Sequence, residues 1–345
     1  MYAEHFGFAE QPFGLTPNTA FFLNTSGHQQ AFNLLQVALA NGEGFIKVVG
    51  EVGTGKTMLC RQLLKHLEQD YVTAYIPNPY LKPQALYRAV LTELQAATKK
   101  LEPETVDALS GADKKASSYQ QDSFMHDYLN ALVSDVASET NSVDADDMHE
   151  YQKQINHKLI ELAAKGKRVV LVIDEAQAMP RETLEALRLI SNLETETSKL
   201  IHIVLFGQPE LDTLLNTDGL RQLRQRIVFS AALTPLDIEA TRNYINHRVT
   251  LAGHNAGSLF SESAIKLLYQ VSSGVPRLIN ILCHKALMSA FGKGQHQVDR
   301  CHVEAAIEDT DNLSLPKRIV SAEQLMFTSV VALACALAVL WSGKL

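Results

Sequence analysis

One short stretch constrains the fold of this chain more than any other. Residues 50–57 match the pattern G-x-x-x-x-G-K-T. Glycines at these positions let the backbone turn tightly, so that several N–H groups converge on the oxygens of one phosphate. The pattern therefore predicts a phosphate-binding loop formed by Gly50, Glu51, Val52, Gly53, Thr54, Gly55, Lys56 and Thr57.

The flanks of this stretch agree with that prediction. Phe45–Val49 is a short run of mostly β-branched apolar residues, which is typical of a strand. Met58–Leu67 has apolar residues at helical spacing, and such a helix would direct its positive end at the loop. The alternative, a chance glycine-rich turn, would explain neither flank.

A second buried strand supplies a pair of carboxylates. Val169–Ile173 is continuously apolar, as expected for a strand covered on both faces of a parallel sheet. Asp174 follows it and is placed to hold Mg²⁺, usually through water. Glu175 comes next and can act as a general base on an attacking water. An Asp-Glu pair is also a common helix cap, but a phosphate loop upstream favours the chemical role.

A third apolar run, Leu200–Gly207, predicts the neighbouring strand, and Gln208 ends it. A polar side chain at this position can contact the γ-phosphate or orient water, although a turn residue before Pro209 is the simpler alternative. The alternation of strands and helices predicts an α/β fold, a parallel three-layer αβα sandwich. From Thr234 onward the pattern becomes purely helical.

Arginines complete the candidate chemistry, because guanidinium groups stabilise the charge that develops on a transferred phosphoryl group. Arg277 begins a helix of the helical region and could reach back to a nucleotide. Arg221, Arg224 and Arg226 follow the third strand, and one of them could reach a neighbouring subunit. Solvation at the surface is the default role for any single arginine.

The charge of the chain is unevenly distributed. The net charge is −7, and residues 99–150 contain 12 acidic and 4 basic residues. The remainder is therefore close to neutral, with 27 basic and 26 acidic residues, which gives no support to a strongly basic nucleic-acid surface. The acidic stretch resembles a solvated, partly disordered insertion, and a docking segment for a basic partner is the alternative.

The C-terminal region predicts a membrane anchor. Leu325–Trp341 carries no charged residue, and as a helix it would be about 25 Å long, against about 30 Å for a hydrocarbon core. Trp341 suits an interfacial position, and Lys317 and Arg318 lie on the side of the main domain. A buried or self-associating helix is the alternative. The basic flank and the use of ATP predict that the remaining protein lies in the cytoplasm.

These observations divide the chain into five regions. The first region is rich in aromatic residues and proline, and we expect it to pack against the core. It would either lie near the base of a nucleotide or serve only to complete the core. In order, the regions are an extended lead-in at 1–24, an ATPase core at 25–233 with the acidic insertion at 99–150, a helical lid at 234–312, a linker at 313–324 and a transmembrane anchor at 325–341.

The motifs together resemble those of AAA+ ATPases, and more narrowly the ExeA-like (GspA-type) ATPases of bacterial secretion and type IV pilus assembly. The phosphate loop and the Asp174-Glu175 pair both match motifs of P-loop NTPases. The resemblance covers residues 1–98 and 147–312. The opening of the chain, from Met1 to Gly7, is most similar to the branch that serves MSHA pili. The carrying segments are Phe6-Gly7, Pro12-Phe13, Thr16–Asn18, Gly42–Phe45, Ile173–Gln177, Leu187–Glu194, Gly207–Leu211, Leu223–Ile227 and Gly274–Arg277.

The resemblance implies roles for individual residues. Lys56, Thr57, Asp174 and Glu175 would carry the chemistry of ATP and Mg²⁺. The first sensor would be Gln208 and the second Arg277. The trans-acting arginine would be Arg226, with Arg224 and Arg221 behind it, and this role implies a ring-type homo-oligomer. The acidic insertion and the terminal anchor depart from the usual shorter pattern.

The leading hypothesis is therefore an ATPase of pilus or secretion-machine assembly, held at the bacterial inner membrane by a single C-terminal span and acting with an inner-membrane assembly partner. A DNA-associated helper ATPase of transposition or replication loading is the rival, and the near-neutral body argues against it. A nucleotide-binding scaffold that hardly turns over is a third possibility, against which the intact Glu175 argues.

Overall fold

The computed structural model describes residues 2–14, 19–68, 70–101, 145–194, 199–255, 257–311 and 313–315. Its strands are β1 (Phe45–Gly50), β2 (Tyr71–Ile76), β3 (Arg168–Ile173), β4 (Ile201–Gly207) and β5 (Ile227–Leu233). Its helices are α1 (Tyr2–Phe6), α2 (Ser26–Ala40), α3 (Lys56–Leu67), α4 (Pro83–Leu101), α5 (Ala145–Ala164), α6 (Arg181–Ile190), α7 (Glu210–Leu215), α8 (Arg221–Arg226), α9 (Ile238–Leu251), α10 (Glu262–Ser272), α11 (Pro276–Gly292) and α12 (Arg300–Glu308).

The chain forms two compact units. An α/β unit lies within residues 17–234, and a helical unit combines residues 1–16 with the chain from residue 235 onward. The boundary near residue 234 agrees with the position at which the sequence pattern turns purely helical.

The α/β unit is built on a parallel sheet with the strand order β2-β3-β4-β1-β5. Strand β4 lies between β1 and β3, with Val49 opposite Gly207 and Ile173 opposite Leu205. Because parallel strands end at the same edge, the segments that follow β1, β3 and β4 emerge side by side. This topology positions the candidate site.

Burial explains why these strands are apolar runs. Every residue of β4 is buried, and so is every residue of β3 after Arg168. Leu171 and Ile203 pack into a cluster with residues of α4, α5 and α6 on one face, while Val170 and Val204 pack with α2 and α3 on the other. The structure thus confirms the predicted parallel α/β sandwich.

Helices α4 and α5 pack together and include both ends of the predicted acidic insertion, at residues 99–101 and 145–150. Gln152 on α5 donates a 2.8 Å hydrogen bond from Nε2 to the hydroxyl of Tyr87 on α4. Both helices contribute to the same apolar cluster, through residues such as Leu94 and Leu159. The hypotheses for residues 102–144 fall outside the described residues and stay predictions.

The helical unit contains the beginning of the chain. The lead-in at 1–24, expected to be an extended segment that packs against the core, is divided between the two units. Residues 2–14 contain helix α1 and belong to the helical unit, whereas residues 19–24 belong to the α/β unit, where Phe21 is buried. In the helical unit, Ala9 N donates to the Ala252 carbonyl at 2.7 Å. The aromatic pattern of this segment predicts burial correctly, but not the partner that buries it.

Helix boundaries in this unit follow ordinary capping chemistry. Asp237 and Ser261 accept hydrogen bonds from Ala240 N and Ala264 N at the starts of α9 and α10. Pro276 occupies the first turn of α11, where its missing N–H costs nothing.

No helix within the described ranges has the length and apolarity needed to cross a membrane. The predicted anchor, Leu325–Trp341, lies outside those ranges and stays a prediction.

Candidate nucleotide-binding site

The phosphate-loop stretch links the end of β1 to the start of α3. Gly53 and Gly55 have φ values of 83° and 100°, which side-chain-bearing residues rarely adopt. Gly50 has a steric requirement instead, because a Cβ there would lie 2.8 Å from Thr54 Oγ1 and 2.9 Å from the Leu233 carbonyl oxygen. The loop conformation therefore depends on the glycines of the motif.

Lys56 is the first residue of α3, and its side chain is buried within the loop. Its ammonium donates to the carbonyl oxygens of Gly50 and Glu51 at 2.8 and 3.0 Å. Burial lowers the pKa of this lysine, and the carboxylates of Glu175 and Asp174 oppose that shift. A cation is thus held beside the loop, where it can interact with phosphate oxygens.

Thr57 and Asp174 meet although 117 positions separate them in the sequence. The Thr57 hydroxyl donates to Asp174 Oδ2 at 2.8 Å, and the backbone N–H of Glu175 donates to Oδ1 at 2.9 Å. Burial raises the pKa of Asp174, while these hydrogen bonds lower it. A hydroxyl beside a carboxylate fits Mg²⁺, which prefers oxygen ligands.

Glu175 follows β3 in a left-handed backbone conformation, with φ 51° and ψ 38°. Its carboxylate is half-buried, and Oε2 accepts a 2.9 Å hydrogen bond from Gln208 Nε2 at the end of β4. The structure therefore brings together Lys56, Thr57, Asp174, Glu175 and Gln208, which sequence reasoning had placed in one site.

Gln177 is a site residue that sequence reasoning did not select. Its Nε2 donates to Glu175 Oε2, and its Oε1 accepts from the backbone N–H of Gln208 at 2.9 Å. One amide thereby connects the turn after β3 with the end of β4. The available signal was a polar side chain two residues after Glu175.

A second unselected residue is His28 on α2. It is 6% exposed, and its Nε2 lies 3.1 Å from the carbonyl oxygen of Thr54 in the phosphate loop. Burial lowers the pKa of this histidine. Its only sequence signal was a histidine shortly before a run of apolar residues, which is too common to select.

The three predicted arginines of the α/β unit do not join this cluster in the described part of that unit. Arg226 Nη1 donates to Ser191 Oγ at 3.1 Å, and Arg224 Nη1 donates to Asn216 Oδ1 at 2.6 Å. Arg221 is exposed on the same helix, α8. Arg277 is exposed at the start of α11 and belongs to the helical unit. Their assigned roles stay predictions.

Sequence comparison identifies a family and a relative of this chain. An AAA domain model matches residues 39–215. The chain is also 36% identical over 298 residues to General secretion pathway protein A of Aeromonas hydrophila, with 86% of this chain covered and 46% of that protein. The chain thus spans about half the length of this relative.

Solved structures with the same fold are more distant in sequence. The ORC2 protein of Aeropyrum pernix, in ADPNP–ADP complexes, has a TM-score of 0.55 and 13% identity, covering 89% of this chain and 75% of that one. Cdc6p of Pyrobaculum aerophilum has a TM-score of 0.53 and 17% identity, covering 85% and 71%. A Walker-type ATPase of Pyrococcus abyssi has a TM-score of 0.53 and 14% identity, covering 94% and 80%. At these identities the likeness concerns the fold alone.

Proposed function

This chain belongs to the AAA domain family of P-loop ATPases, and from that premise we propose that it hydrolyses ATP to support a secretion or pilus-assembly machine. One observation carries the nucleotide chemistry: the Thr57 hydroxyl bonds to Asp174 directly beside Glu175 and the buried Lys56. These groups are among those that catalyse phosphoryl transfer to water.

The loop supplies the phosphate-binding part of the site. The N–H groups at the start of α3 have no partner within the helix and carry its positive end, so they favour a bound polyphosphate. Lys56 adds a positive charge, and Thr57 and Asp174 are the residues that fit Mg²⁺. When bound, that ion neutralises charge on the phosphate oxygens.

Glu175 is the proposed general base. It removes a proton from a water molecule as the water attacks the γ-phosphorus of ATP, and the products are ADP and phosphate. Gln208 and Gln177 hold its carboxylate through two amide donors, which fixes the orientation of the base. Gln208 also directly follows β4, the strand next to β1, as expected for a residue that senses the γ-phosphate.

Two substitutions test this assignment. Lys56→Ala should abolish ATP binding, measured by calorimetry. Glu175→Gln should retain binding but reduce phosphate release at least 100-fold, because it removes the base and keeps the shape. Glu185→Gln is a matched control, since Glu185 bonds to Arg188 on α6. Normal turnover by Glu175→Gln would disprove the assigned base.

The biological setting is proposed from the relative and from the ends of the chain. Identity to General secretion pathway protein A favours a secretion-type machine. The resemblance of the opening Met1–Gly7 is the basis on which we propose an MSHA-like type IV pilus. The apolar stretch Leu325–Trp341 would anchor the protein in the bacterial inner membrane, with the ATPase units in the cytoplasm. An inner-membrane assembly component would be the partner.

Cell fractionation tests the anchor. Deleting residues 324–345 should move the protein from the membrane to the soluble fraction, and unchanged membrane association would exclude this anchor. Filter retention of DNA at physiological salt tests the rival function. Specific retention of DNA would favour a DNA-associated helper over an assembly ATPase.

A further inference from the structure

We propose that His28, which lies outside the phosphate-loop motif, is a positioning residue that orients this loop for nucleotide binding. The inference rests on the proposed nucleotide chemistry and extends it to helix α2. It is carried by the contacts of one buried imidazole with Thr25, Thr54 and Gly55.

The hydrogen bonds of His28 fix its tautomer. Nε2 lies 3.1 Å from the Thr54 carbonyl oxygen, and a carbonyl oxygen can only accept, so Nε2 carries the proton. Burial lowers the pKa of His28 and favours the neutral ring, in which Nδ1 must then be an acceptor. The Thr25 hydroxyl lies 2.7 Å from Nδ1 and supplies the matching donor.

The carbonyl that His28 holds belongs to the peptide linking Thr54 to Gly55. In a trans peptide the C=O and the following N–H point in opposite directions. Anchoring the Thr54 oxygen toward α2 therefore directs the Gly55 N–H away from α2. Gly55 precedes the first residue of α3, so this N–H is one of those that a helix leaves unpaired at its start.

The imidazole also explains why residue 55 is a glycine. A Cβ on Gly55 would lie 2.7 Å from His28 Nε2, closer than real contacts allow. The φ of Gly55 is 100°, so both the backbone and the neighbouring ring require glycine here. His28 and Gly55 thus form one packed contact, and the Phe22 ring packs nearly perpendicular to the imidazole, with centroids 5.2 Å apart.

Other hydrogen bonds within the loop support the same turn. The Thr54 hydroxyl donates to the Glu51 carbonyl at 2.8 Å, and Lys56 donates to the carbonyls of Gly50 and Glu51. Lys56 has three N–H donors and uses two of them on these carbonyls, so binding phosphate changes its set of partners. The His28 bond uses a carbonyl that Lys56 does not contact and can persist, so it keeps the turn ordered while Lys56 changes partners.

Binding of ADP to the full-length protein tests the proposal without turnover. His28→Ala should weaken ADP binding about tenfold, the effect of losing one orienting hydrogen bond. His28→Gln should bind within about twofold of the wild type, because its amide nitrogen is as many bonds from the backbone as His28 Nε2. Rescue by glutamine would assign the effect to the donor.

His202→Ala is the matched control. His202 is buried in the same unit, its Nδ1 lies 2.8 Å from the Glu43 carbonyl oxygen, and burial lowers its pKa as well. It lies on β4 about 16 Å along the strand from Gly207, at the opposite end from the site. This variant should lose thermal stability but keep the wild-type affinity for ADP.

The outcomes separate the two proposals. Failure of the wild type to bind ADP would disprove the nucleotide site itself. Wild-type affinity in His28→Ala, no rescue by His28→Gln, or an equal loss in His202→Ala would overturn the role of His28. If His28→Ala does not fold, Thr25→Val removes only the partner of Nδ1 and should weaken ADP binding about threefold, and unchanged affinity would overturn the proposal.

Discussion

Glu175 shows how the site is held at the scale of single residues. A non-glycine residue in the left-handed region costs about 1–3 kcal/mol and persists only where surrounding contacts enforce it. Here the backbone N–H of Glu175 bonds to Asp174, and the carboxylate accepts from two glutamine amides. The left-handed backbone conformation of Glu175 therefore directs the proposed base toward the end of β4.

Gln177 is expected to act through this base. Replacing it with leucine removes the donor to Glu175 and the acceptor for Gln208 N–H while keeping similar bulk. We expect the single-turnover rate of ATP hydrolysis to fall about 10-fold, because the carboxylate is no longer oriented. The affinity for ATP should stay within about twofold, since the phosphate loop is unaffected. Quenched-flow assays and calorimetry measure the two quantities.

Gln177→Glu distinguishes orientation from packing. This variant keeps an acceptor for Gln208 N–H but directs a carboxylate at Glu175, so repulsion should slow hydrolysis at least as much as leucine does. If both variants hydrolyse ATP at the wild-type rate, the contact with Gln177 has no catalytic consequence.

The residues identified from the sequence share one property: each is marked by the residues adjacent to it in the chain. Lys56 and Thr57 belong to a contiguous motif, and Asp174 and Glu175 follow an unmistakable buried strand. His28 acts on a loop 26 positions away, and Gln177 bonds to the backbone N–H of Gln208, 31 positions away. Neither contact has a spacing rule, so both required the structure.

At the scale of elements, the insertion of β4 between β1 and β3 determines which groups meet. The strands were predictable because continuous apolar runs mark strands covered on both faces. Their order was not predictable, since pairing between parallel strands joins distant segments without a local signal. Gln208 reaches Glu175 because β4 and β3 are adjacent in the observed order.

The packing partner of segment 2–14 could likewise not be predicted from the local sequence, because tertiary packing determines it. Arg248 on α9 is 8% exposed and donates from Nε to the Pro12 carbonyl at 2.6 Å and from Nη1 to the Tyr244 hydroxyl at 2.8 Å. Phe13 is fully buried in the same unit and packs edge-on against Phe260. Arg248 therefore fastens the first residues of the chain to the helical unit.

Arg248→Met should loosen this attachment. Methionine keeps the apolar stem but leaves the Pro12 carbonyl without its charged donor, a loss of about 2 kcal/mol. We expect hydrogen exchange in residues 2–14 and in α9 to accelerate about 30-fold, while exchange in β3 and β4 stays unchanged. Mass spectrometry of peptide fragments measures each segment separately.

Arg242→Met is the control on the same helix. Arg242 bonds at the surface to Glu239 and Glu262, and exposed ion pairs of this kind contribute little to stability. Equal acceleration of exchange in the two variants would contradict the special role of Arg248.

At the scale of the whole molecule, the question is which cation besides Lys56 stabilises the transferred phosphoryl group. The α/β unit supplies the proposed base and the oxygen ligands, and Lys56 is the cation bonded within the loop. Arg226 instead bonds to Ser191 of its own chain. A neighbouring subunit that receives Arg226 would complete the site, and the predicted ring-type oligomer provides such a neighbour.

Mixing two inactive variants tests this arrangement. Arg226→Ala keeps the base but lacks the arginine, and Glu175→Gln keeps the arginine but lacks the base. An arginine that stabilises the transferred phosphoryl group is worth about 10³-fold or more in rate, so each variant alone should be nearly inactive. The two are co-expressed with different tags and purified over both, so that every oligomer contains both kinds of subunit.

If Arg226 acts on its neighbour, a site is active where an Arg226→Ala subunit is followed by a Glu175→Gln subunit. Random assembly at equal amounts gives this pair with probability ½ × ½, so ATPase activity should recover to about a quarter of the wild-type value. Lys56→Ala mixed with Glu175→Gln is the control, because both defects lie in the subunit that owns the site and no neighbour can repair them. Recovery confined to the first pair would place Arg226 in the adjacent site. No recovery in oligomers shown to contain both variants would assign the arginine to its own subunit, and failure of the two tags to co-purify would contradict the oligomer itself.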